Sequence, residues 1–155
     1  MATDIFDSQG KKISIEIFQP SGAGQHPAII IAYGTAGLNA PWGDGIRSFA
    51  RDLAEKGYVA LIPDYFERTN TIAGLIAPLE AFPASRDLWL ETLGDALSYA
   101  TGRSDIDSSR MGLVGFSMGA HLALRTAKKQ CCPKSQSGGG FLWAYHNAPF
   151  QRHRS

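Results

Sequence analysis

The residues best suited to chemistry lie in the stretch MGLVGFSMGAHLAL, residues 111–124, where Ser117 stands between Gly115 and Gly119. A GxSxG match alone is weakly specific, because a chain with 17 glycines can contain one by accident. Its surroundings add weight, since a short apolar run precedes the serine and small residues at helical spacing follow it. This pattern is typical of a nucleophile elbow, a tight strand-to-helix turn that holds the serine in a strained backbone conformation. The sequence therefore predicts that Ser117 is a catalytic nucleophile.

Two backbone amides are predicted to stabilise negative charge on a reacting carbonyl oxygen. The Met118 N–H belongs to the first turn of the helix that follows the serine and is directed toward the reacting group. A second donor is expected from the flexible loop GTAG, residues 34–37, and Thr35 is our choice for it. The alternative interpretation is that the glycines of this loop only make a turn.

The elements that must position these residues alternate along the chain. Apolar runs in HPAIIIAYGTAG, YVALIPD and MGLVG predict buried strands, and KKISIEIFQP predicts a half-exposed outer strand. Apolar positions with helical spacing predict helices over residues 45–57 and about 85–101, and DIDSSR predicts a turn. The predicted fold class is α/β, with a mostly parallel sheet that is flanked by helices and incomplete at its C-terminal end.

Three separated blocks resemble the dienelactone hydrolase family of α/β hydrolases: PAIIIAYGTAGLN, IRSFARDLAEKGYVALIPDYFERT and DSSRMGLVGFSMGAHLAL. The resemblance covers about residues 10–128. It implies hydrolysis of carboxylic esters or lactones through an acyl-enzyme, without a metal or organic cofactor. Founding members carry cysteine in place of Ser117, and a serine needs a stronger base. The family often has a His-Glu pair where this chain has Tyr33 and Gly34. The resemblance also matches Arg68 to an arginine that binds a substrate carboxylate, although Arg68 can equally be a surface side chain.

The groups that would activate Ser117 are not evident in the sequence. In α/β hydrolases the catalytic acid and histidine follow the nucleophile along the chain, but the last acidic residue here is Asp107. His121 lies one helical turn after the serine and is interpreted as a structural or surface residue. His146 and His153 lie in an irregular end of the sequence and are not assigned a role. The activity of this chain is therefore left open.

The sequence changes character at about residue 128. We predict that residues 1–128 form the N-terminal part of a single α/β-hydrolase domain and that residues 129–155 form an irregular basic tail. Residues 128–155 hold five basic residues and no acidic one. One hypothesis for this change is a shift of reading frame shortly after residue 130. Within the tail, FLWAY is a candidate strand that could pair with the otherwise exposed edge of MGLVG.

Composition limits the remaining classes of function. The 155 residues are 44% apolar and carry a net charge of +1, which is typical of a globular domain and disfavours nucleic acid as a partner. The N-terminus has no signal-peptide pattern and no apolar run is long enough for a membrane helix, so a cytoplasmic location is expected. The expected partner is a small-molecule ester or lactone. The alternative function is a catalytically inactive fragment or an interaction module, with an oligomer or another chain at an unpaired sheet edge.

Overall fold

The computed structural model describes residues 1–131 and 140–146. Six strands form one sheet in the order β1-β2-β4-β3-β5-β6. The strands are β1 Ala2–Ser8, β2 Lys11–Phe18, β3 His26–Ala32, β4 Val59–Pro63, β5 Ile106–Phe116 and β6 Gly140–His146. β1, β2 and β4 pair antiparallel, whereas β4, β3, β5 and β6 pair parallel. The predicted α/β class with a mostly parallel sheet is confirmed.

Within the described residues, three α-helices cover the two faces of the sheet: α1 Trp42–Glu55, α2 Ala77–Thr101 and α3 Met118–Cys131. The ring of Phe49 in α1 contacts the ring of Phe116, with centroids 5.4 Å apart. A Cβ on the preceding residue, Gly115, would instead meet the backbone of α3. Because successive residues of a strand point to opposite faces, α1 and α3 lie on opposite faces of the sheet. α2 packs beside α3. No helix within the described residues is both long and apolar enough to cross a bilayer.

The predicted C-terminal ends of α1 and α2 lie close to the observed ones, whereas the predicted N-terminal end of α2 does not. α2 begins at Ala77, eight residues before the predicted start, and includes Pro83. A proline inside a helix removes one backbone donor, which is why the sequence pattern favours a later start. Packing offsets that cost, since the ring of Phe82 lies 6.1 Å from the ring of Trp89. The apolar face predicted for the rest of α2 is buried: Trp89, Leu93, Ala96, Leu97 and Ala100.

β2 is not the outer strand that its alternating pattern suggested. Residues 2–8 form β1 outside it, in an antiparallel register that runs from Ala2 opposite Ile17 to Ser8 opposite Lys11. The alternation itself is observed, because Ile13, Ile15 and Ile17 are buried. Their partners on β1 offer fewer apolar contacts, so β1 has no comparable signal of its own.

The predicted turn DIDSSR is instead an irregular part of β5. His26 pairs with Ile106 and Ala28 with Met111, so β5 carries three more residues than β3 between these positions. Asp107 accepts a hydrogen bond from the N–H two residues later, at 3.0 Å. The extra residues thus form their own local hydrogen bonds, as turn residues do, while the chain continues as a strand.

The candidate strand FLWAY lies in β6, which runs parallel to β5. The register extends from Arg110 opposite Gly140 to Phe116 opposite His146. The prediction that this segment docks beside MGLVG is therefore confirmed. His153 and the remainder of the predicted tail, residues 132–139 and 147–155, lie outside the described residues.

Candidate active site

Ser117 lies at the carboxyl end of β5, the end at which parallel α/β sheets bind ligands. Its φ is +52°, in the left-handed region that residues other than glycine rarely adopt. α3 begins at the next residue, and the Ala120 N–H donates a hydrogen bond to the Ser117 carbonyl oxygen at 2.9 Å. Such a conformation costs about 1–3 kcal/mol and persists only where the surrounding structure enforces it. The strained backbone that the sequence predicts is thus present, and the serine is exposed.

Gly115 and Gly119 make the tight turn possible. A Cβ on Gly115 would lie 2.3 Å from the Gly119 carbonyl oxygen. A Cβ on Gly119 would lie 2.2 Å from the carbonyl oxygens of both Ala32 and Tyr33. These obstacles are backbone atoms, which cannot move aside as the tip of a flexible side chain can. The two glycines therefore allow the first turn of α3 to rest directly on β3 and β5.

The loop after β3 lies against Ser117. A Cβ on Gly34 would be 3.1 Å from the Ser117 Cβ and 3.7 Å from its Oγ. The next residue, Thr35, accepts a hydrogen bond from the Gly74 N–H at 2.9 Å, whereas its own N–H donates to no residue in the described part of the chain. The Met118 N–H belongs to the first turn of α3, where backbone donors have no acceptor within the helix. Both amides predicted to bind an oxyanion thus lie in segments that adjoin Ser117.

Tyr33 anchors this loop through three hydrogen bonds. Its hydroxyl donates to Asp64 Oδ1 at 2.5 Å and accepts from the Phe66 N–H at 3.0 Å. The Tyr65 hydroxyl donates to the Tyr33 carbonyl oxygen at 2.5 Å, and the two tyrosine rings stack with centroids 4.3 Å apart. Both tyrosines are fully buried. The residue directly before Gly34 is therefore fixed at its backbone and at its side chain.

Burial sets the protonation of this cluster. It raises the pKa of both Tyr33 and Tyr65 well above the ordinary value, so both hydroxyls keep their protons. Burial also raises the pKa of Asp64, although the hydrogen bond from Tyr33 acts in the opposite direction. The sequence prediction did not include Asp64. The available signal was its position directly after the buried strand YVALIP, where a carboxylate needs a partner.

Arg68, matched by resemblance to a carboxylate-binding arginine, ends a short 3₁₀ helix, Tyr65–Arg68. Its Nη2 lies 3.5 Å from Glu91 Oε2 on α2, and its side chain is 16% exposed. The Arg68 Nε is buried and has no hydrogen-bond partner among the described residues. No hydrogen bond joins Arg68 to Ser117 or to the 34–37 loop within the same part of the chain. The structure therefore pairs Arg68 with a carboxylate of the protein itself.

Neither His26 nor His121, the histidines of residues 1–131, hydrogen-bonds to the Ser117 hydroxyl within the described residues. His121 is exposed on α3, where its Nε2 accepts a hydrogen bond from Arg125 Nε at 3.0 Å. Its ring meets the ring of Phe82 edge-on, with centroids 5.6 Å apart. These contacts agree with the surface role predicted for His121. His146 ends β6 opposite Phe116, the residue before the serine. Within residues 1–131 no imidazole or carboxylate hydrogen-bonds to Ser117 Oγ.

A polar cavity of about 590 Å³ lies on the α1 face of the sheet; Ser117 is not among its described lining residues, whereas Gly37 of the 34–37 loop is. Its charged lining consists of Glu16, Arg47, Asp64 and Glu67. Arg47 donates two hydrogen bonds to Glu16, at 2.8 and 2.7 Å. Both oxygens of Glu67 accept hydrogen bonds from Ser14, each at 2.7 Å. No three side chains of the described residues are grouped so that they could hold a metal ion. The charges of this cavity are largely paired within the protein.

Comparison with known proteins identifies the fold and the family. The family model described as "Dienelactone hydrolase family" matches residues 13–135. A "Putative carboxymethylenebutenolidase" of Methylorubrum extorquens is 26% identical over 108 residues, which are 66% of this chain and 36% of that protein. The chain therefore spans about a third of the length of this curated relative.

Many solved structures share the fold, including the following two. A dienelactone hydrolase-like promiscuous phosphotriesterase from metagenomic libraries has a TM-score of 0.69 at 21% identity, covering 83% of this chain and 53% of that one. A dienelactone hydrolase from Klebsiella pneumoniae, also named as putative, has a TM-score of 0.65 at 24% identity, covering 81% of this chain and 54% of that one. The likeness thus extends over most of this chain and about half of each of those proteins.

Proposed function

We propose, since the chain belongs to the dienelactone hydrolase family, that it hydrolyses carboxylic esters or lactones with Ser117 as the nucleophile. One observation carries the proposal: Ser117 is held at φ +52° between a parallel strand and a helix. In the proposed reaction, Ser117 Oγ bonds to the carbonyl carbon while the hydroxyl proton passes to solvent water. The tetrahedral intermediate then expels the alkoxide, which takes up a proton, and water later releases the acid from the acyl-enzyme.

The N–H groups of Met118 and Thr35 are proposed to bind the oxygen of the tetrahedral intermediate. Their proximity to Ser117 and the absence of a described acceptor for the Thr35 N–H support this role. Removal of one such donor typically costs about 10²–10³ in rate in serine hydrolases. The hydrogen bonds of Tyr33 contribute indirectly, because they fix the residue from which this loop begins.

The expected rate is that of a site with a nucleophile and oxyanion donors but no described base. Enzymes with an incomplete triad keep a rate about 10³–10⁴ above that in water from the remaining groups. We therefore expect slow acylation of Ser117 if no further base takes part. A faster reaction would require a base beyond the side-chain contacts described above.

The second candidate is a non-catalytic interaction module. It is favoured by the lack of a hydrogen bond between Ser117 Oγ and any base among the described side chains. In that case β6, the last strand in the order of the sheet, would present its outer backbone groups to another chain. This candidate requires no reactive serine.

The test is to label the purified chain with a serine-directed fluorophosphonate probe and to locate the adduct by mass spectrometry. We expect the adduct on Ser117, its loss in Ser117→Ala and its retention in Ser108→Ala. Ser108 is a matched control because it is an exposed serine on the same strand. Release of p-nitrophenolate from p-nitrophenyl acetate should follow the same order. Absence of an adduct, or an equal adduct in Ser117→Ala, would contradict the hydrolase and favour the interaction module.

A further inference from the structure

An uncharged, exposed apolar segment leads into α2. Residues 71–79, TIAGLIAPL, contain no charged residue and are called the apolar rim below. Four of its side chains are more than half exposed: Ile72 at 78%, Leu75 at 76%, Ile76 at 66% and Leu79 at 55%. Single exposed apolar side chains are ordinary, but a contiguous group of this kind marks a binding surface. The fold therefore leaves this segment available for an apolar partner.

Two contacts place the apolar rim beside Ser117. Within the rim, the Gly74 N–H donates to the carbonyl oxygen of Thr35, which follows the glycine that touches the serine. Just after the rim, the ring of Phe82 packs against His121, one helical turn beyond the serine. Along the chain, Leu75, Ile76 and Leu79 lie between these two contacts, whereas Ile72 precedes both and lines the polar cavity. The segment 74–82 is thus tied at one end to the loop that faces Ser117 and at the other end to the helix that begins after it.

Arg68 is the charged alternative for binding a substrate, and it is partly paired within the protein. Arg68 lies within 3.5 Å of Glu91, and little of its side chain is exposed. A substrate carboxylate would have to displace Glu91 to use this guanidinium fully. The rim itself has no charged residue, so it is better suited to an uncharged group than to an anion.

We infer that the apolar rim binds the uncharged apolar acyl or alkoxy group of the ester that Ser117 attacks, an inference that rests on the function proposed above. Full burial of one methylene group changes affinity by up to about fourfold. The rim is an open surface and buries each methylene only in part. For an acyl chain longer by six carbons, we therefore expect a preference of about tenfold.

The experiment compares p-nitrophenyl acetate with p-nitrophenyl octanoate. In each reaction a bond forms between Ser117 Oγ and the acyl carbon, p-nitrophenolate leaves with the electron pair of the broken bond, and the hydroxyl proton passes to solvent. The readouts are kcat/KM, corrected by the Ser117→Ala variant, and the acyl adduct on Ser117 by mass spectrometry. We expect kcat/KM for the octanoate to be about tenfold higher than for the acetate.

A triple variant, Leu75→Ser/Ile76→Ser/Leu79→Ser, tests the rim itself. It should lower the octanoate to acetate ratio to about one, and the single variant Leu79→Ser should lower it in part. Ile5→Ser is the matched control, because Ile5 is 59% exposed on β1, at the opposite edge of the sheet. This control should keep the tenfold ratio. All the replaced side chains are exposed, and melting curves check that each variant is folded.

Four outcomes would overturn the inference, and they differ in whether the proposed function of Ser117 also fails. Equal rates for the two esters, or a ratio that survives the triple variant, would remove the role of the rim and leave Ser117 as the nucleophile. Preference for a mono-p-nitrophenyl glutarate, which carries a free carboxylate, would assign recognition to Arg68 instead. Failure of every ester to acylate Ser117 would remove the proposed function and this inference together.

Discussion

The elbow around Ser117 and the polar cavity on the α1 face differ in how far their polar groups are paired within the protein. In the cavity, the charges of Glu16, Arg47 and Glu67 are matched by partners at 2.7–2.8 Å. At the elbow, the Thr35 N–H donates to no described residue and the backbone of Ser117 is strained. The cavity has enough volume for a small molecule, but charged groups that are already paired within the protein are less able to bind a substrate. Reactivity is better indicated by strain and by donors that the protein leaves without an acceptor.

The largest expected effect comes from breaking the elbow with Gly119→Ala. The new methyl group would meet two backbone carbonyl oxygens at 2.2 Å, so α3 must shift away from β3. We expect a loss of about 3 kcal/mol or more in the free energy of unfolding, measured by urea denaturation, with loss of fluorophosphonate labelling.

Gly94→Ala is the matched control for this change. Gly94 lies inside α2, and its added Cβ would meet only a flexible Gln130 side-chain atom, at 3.7 Å. Because alanine is a better helix former, this variant should be more stable by about 0.5–1 kcal/mol. An unchanged free energy of unfolding in Gly119→Ala would contradict the close packing of α3 against β3.

The part of the site that could be predicted is the part encoded by neighbouring residues. The apolar run, the two glycines and the helical spacing after Ser117 all lie within one short stretch, and the structure shows the turn that they predict. The Tyr33–Asp64 hydrogen bond joins residues 31 positions apart, and no local pattern connects them. It becomes visible only when the parallel pairing of β3 with β4 brings the two strand ends together.

The fold likewise has elements that follow from neighbouring residues and elements that depend on distant pairing. The buried strands β3, β4 and β5 follow from their own apolar runs, but β1 is a polar segment with only Phe6 and Ser8 buried. Its place depends on pairing with β2, not on its own composition. The sequence pattern does not predict the early start of α2, because Pro83 and the exposed apolar rim before it do not show the one-sided burial of an ordinary helix.

Tyr33→Phe tests the connection between the two regions, because Asp64 lines the cavity and Tyr33 precedes the loop beside Ser117. The variant removes the hydroxyl that pairs with both Asp64 and the Phe66 N–H, at a cost of about 1–3 kcal/mol. Labelling of Ser117 should also slow, since the loop loses one anchor. Tyr58→Phe is the control, because the Tyr58 hydroxyl makes no hydrogen bond within the described residues.

The pH dependence of this variant has a definite sign. Burial raises the pKa of Asp64 in the folded protein, and the hydrogen bond from Tyr33 limits that rise. A raised folded pKa gives a contribution to stability that is present at low pH and is lost as pH rises from about 4 through the folded value. Without the hydroxyl the pKa rises further, so the gap between wild type and Tyr33→Phe should widen above about pH 4. Urea midpoints at pH 3, 5 and 7 measure it, and a constant gap would contradict the assignment.

The smallest effect is expected from a change in the paired charges of the polar cavity. Glu16→Gln keeps the shape of the cavity lining but removes the carboxylate that holds Arg47. The side chains of Arg47 and Glu16 are 27% and 16% exposed, so solvent weakens the pair and we expect a loss of about 1 kcal/mol. Labelling of Ser117 should be unchanged, because Glu16 forms no hydrogen bond to Ser117 or to the 34–37 loop within the described residues, and the hydrogen bond from Arg47 to the Leu38 carbonyl oxygen is still possible in the variant. A drop in labelling equal to that of Tyr33→Phe, at the same stability, would mean that the paired charges of the cavity serve the site, and the contrast between the two regions would fail.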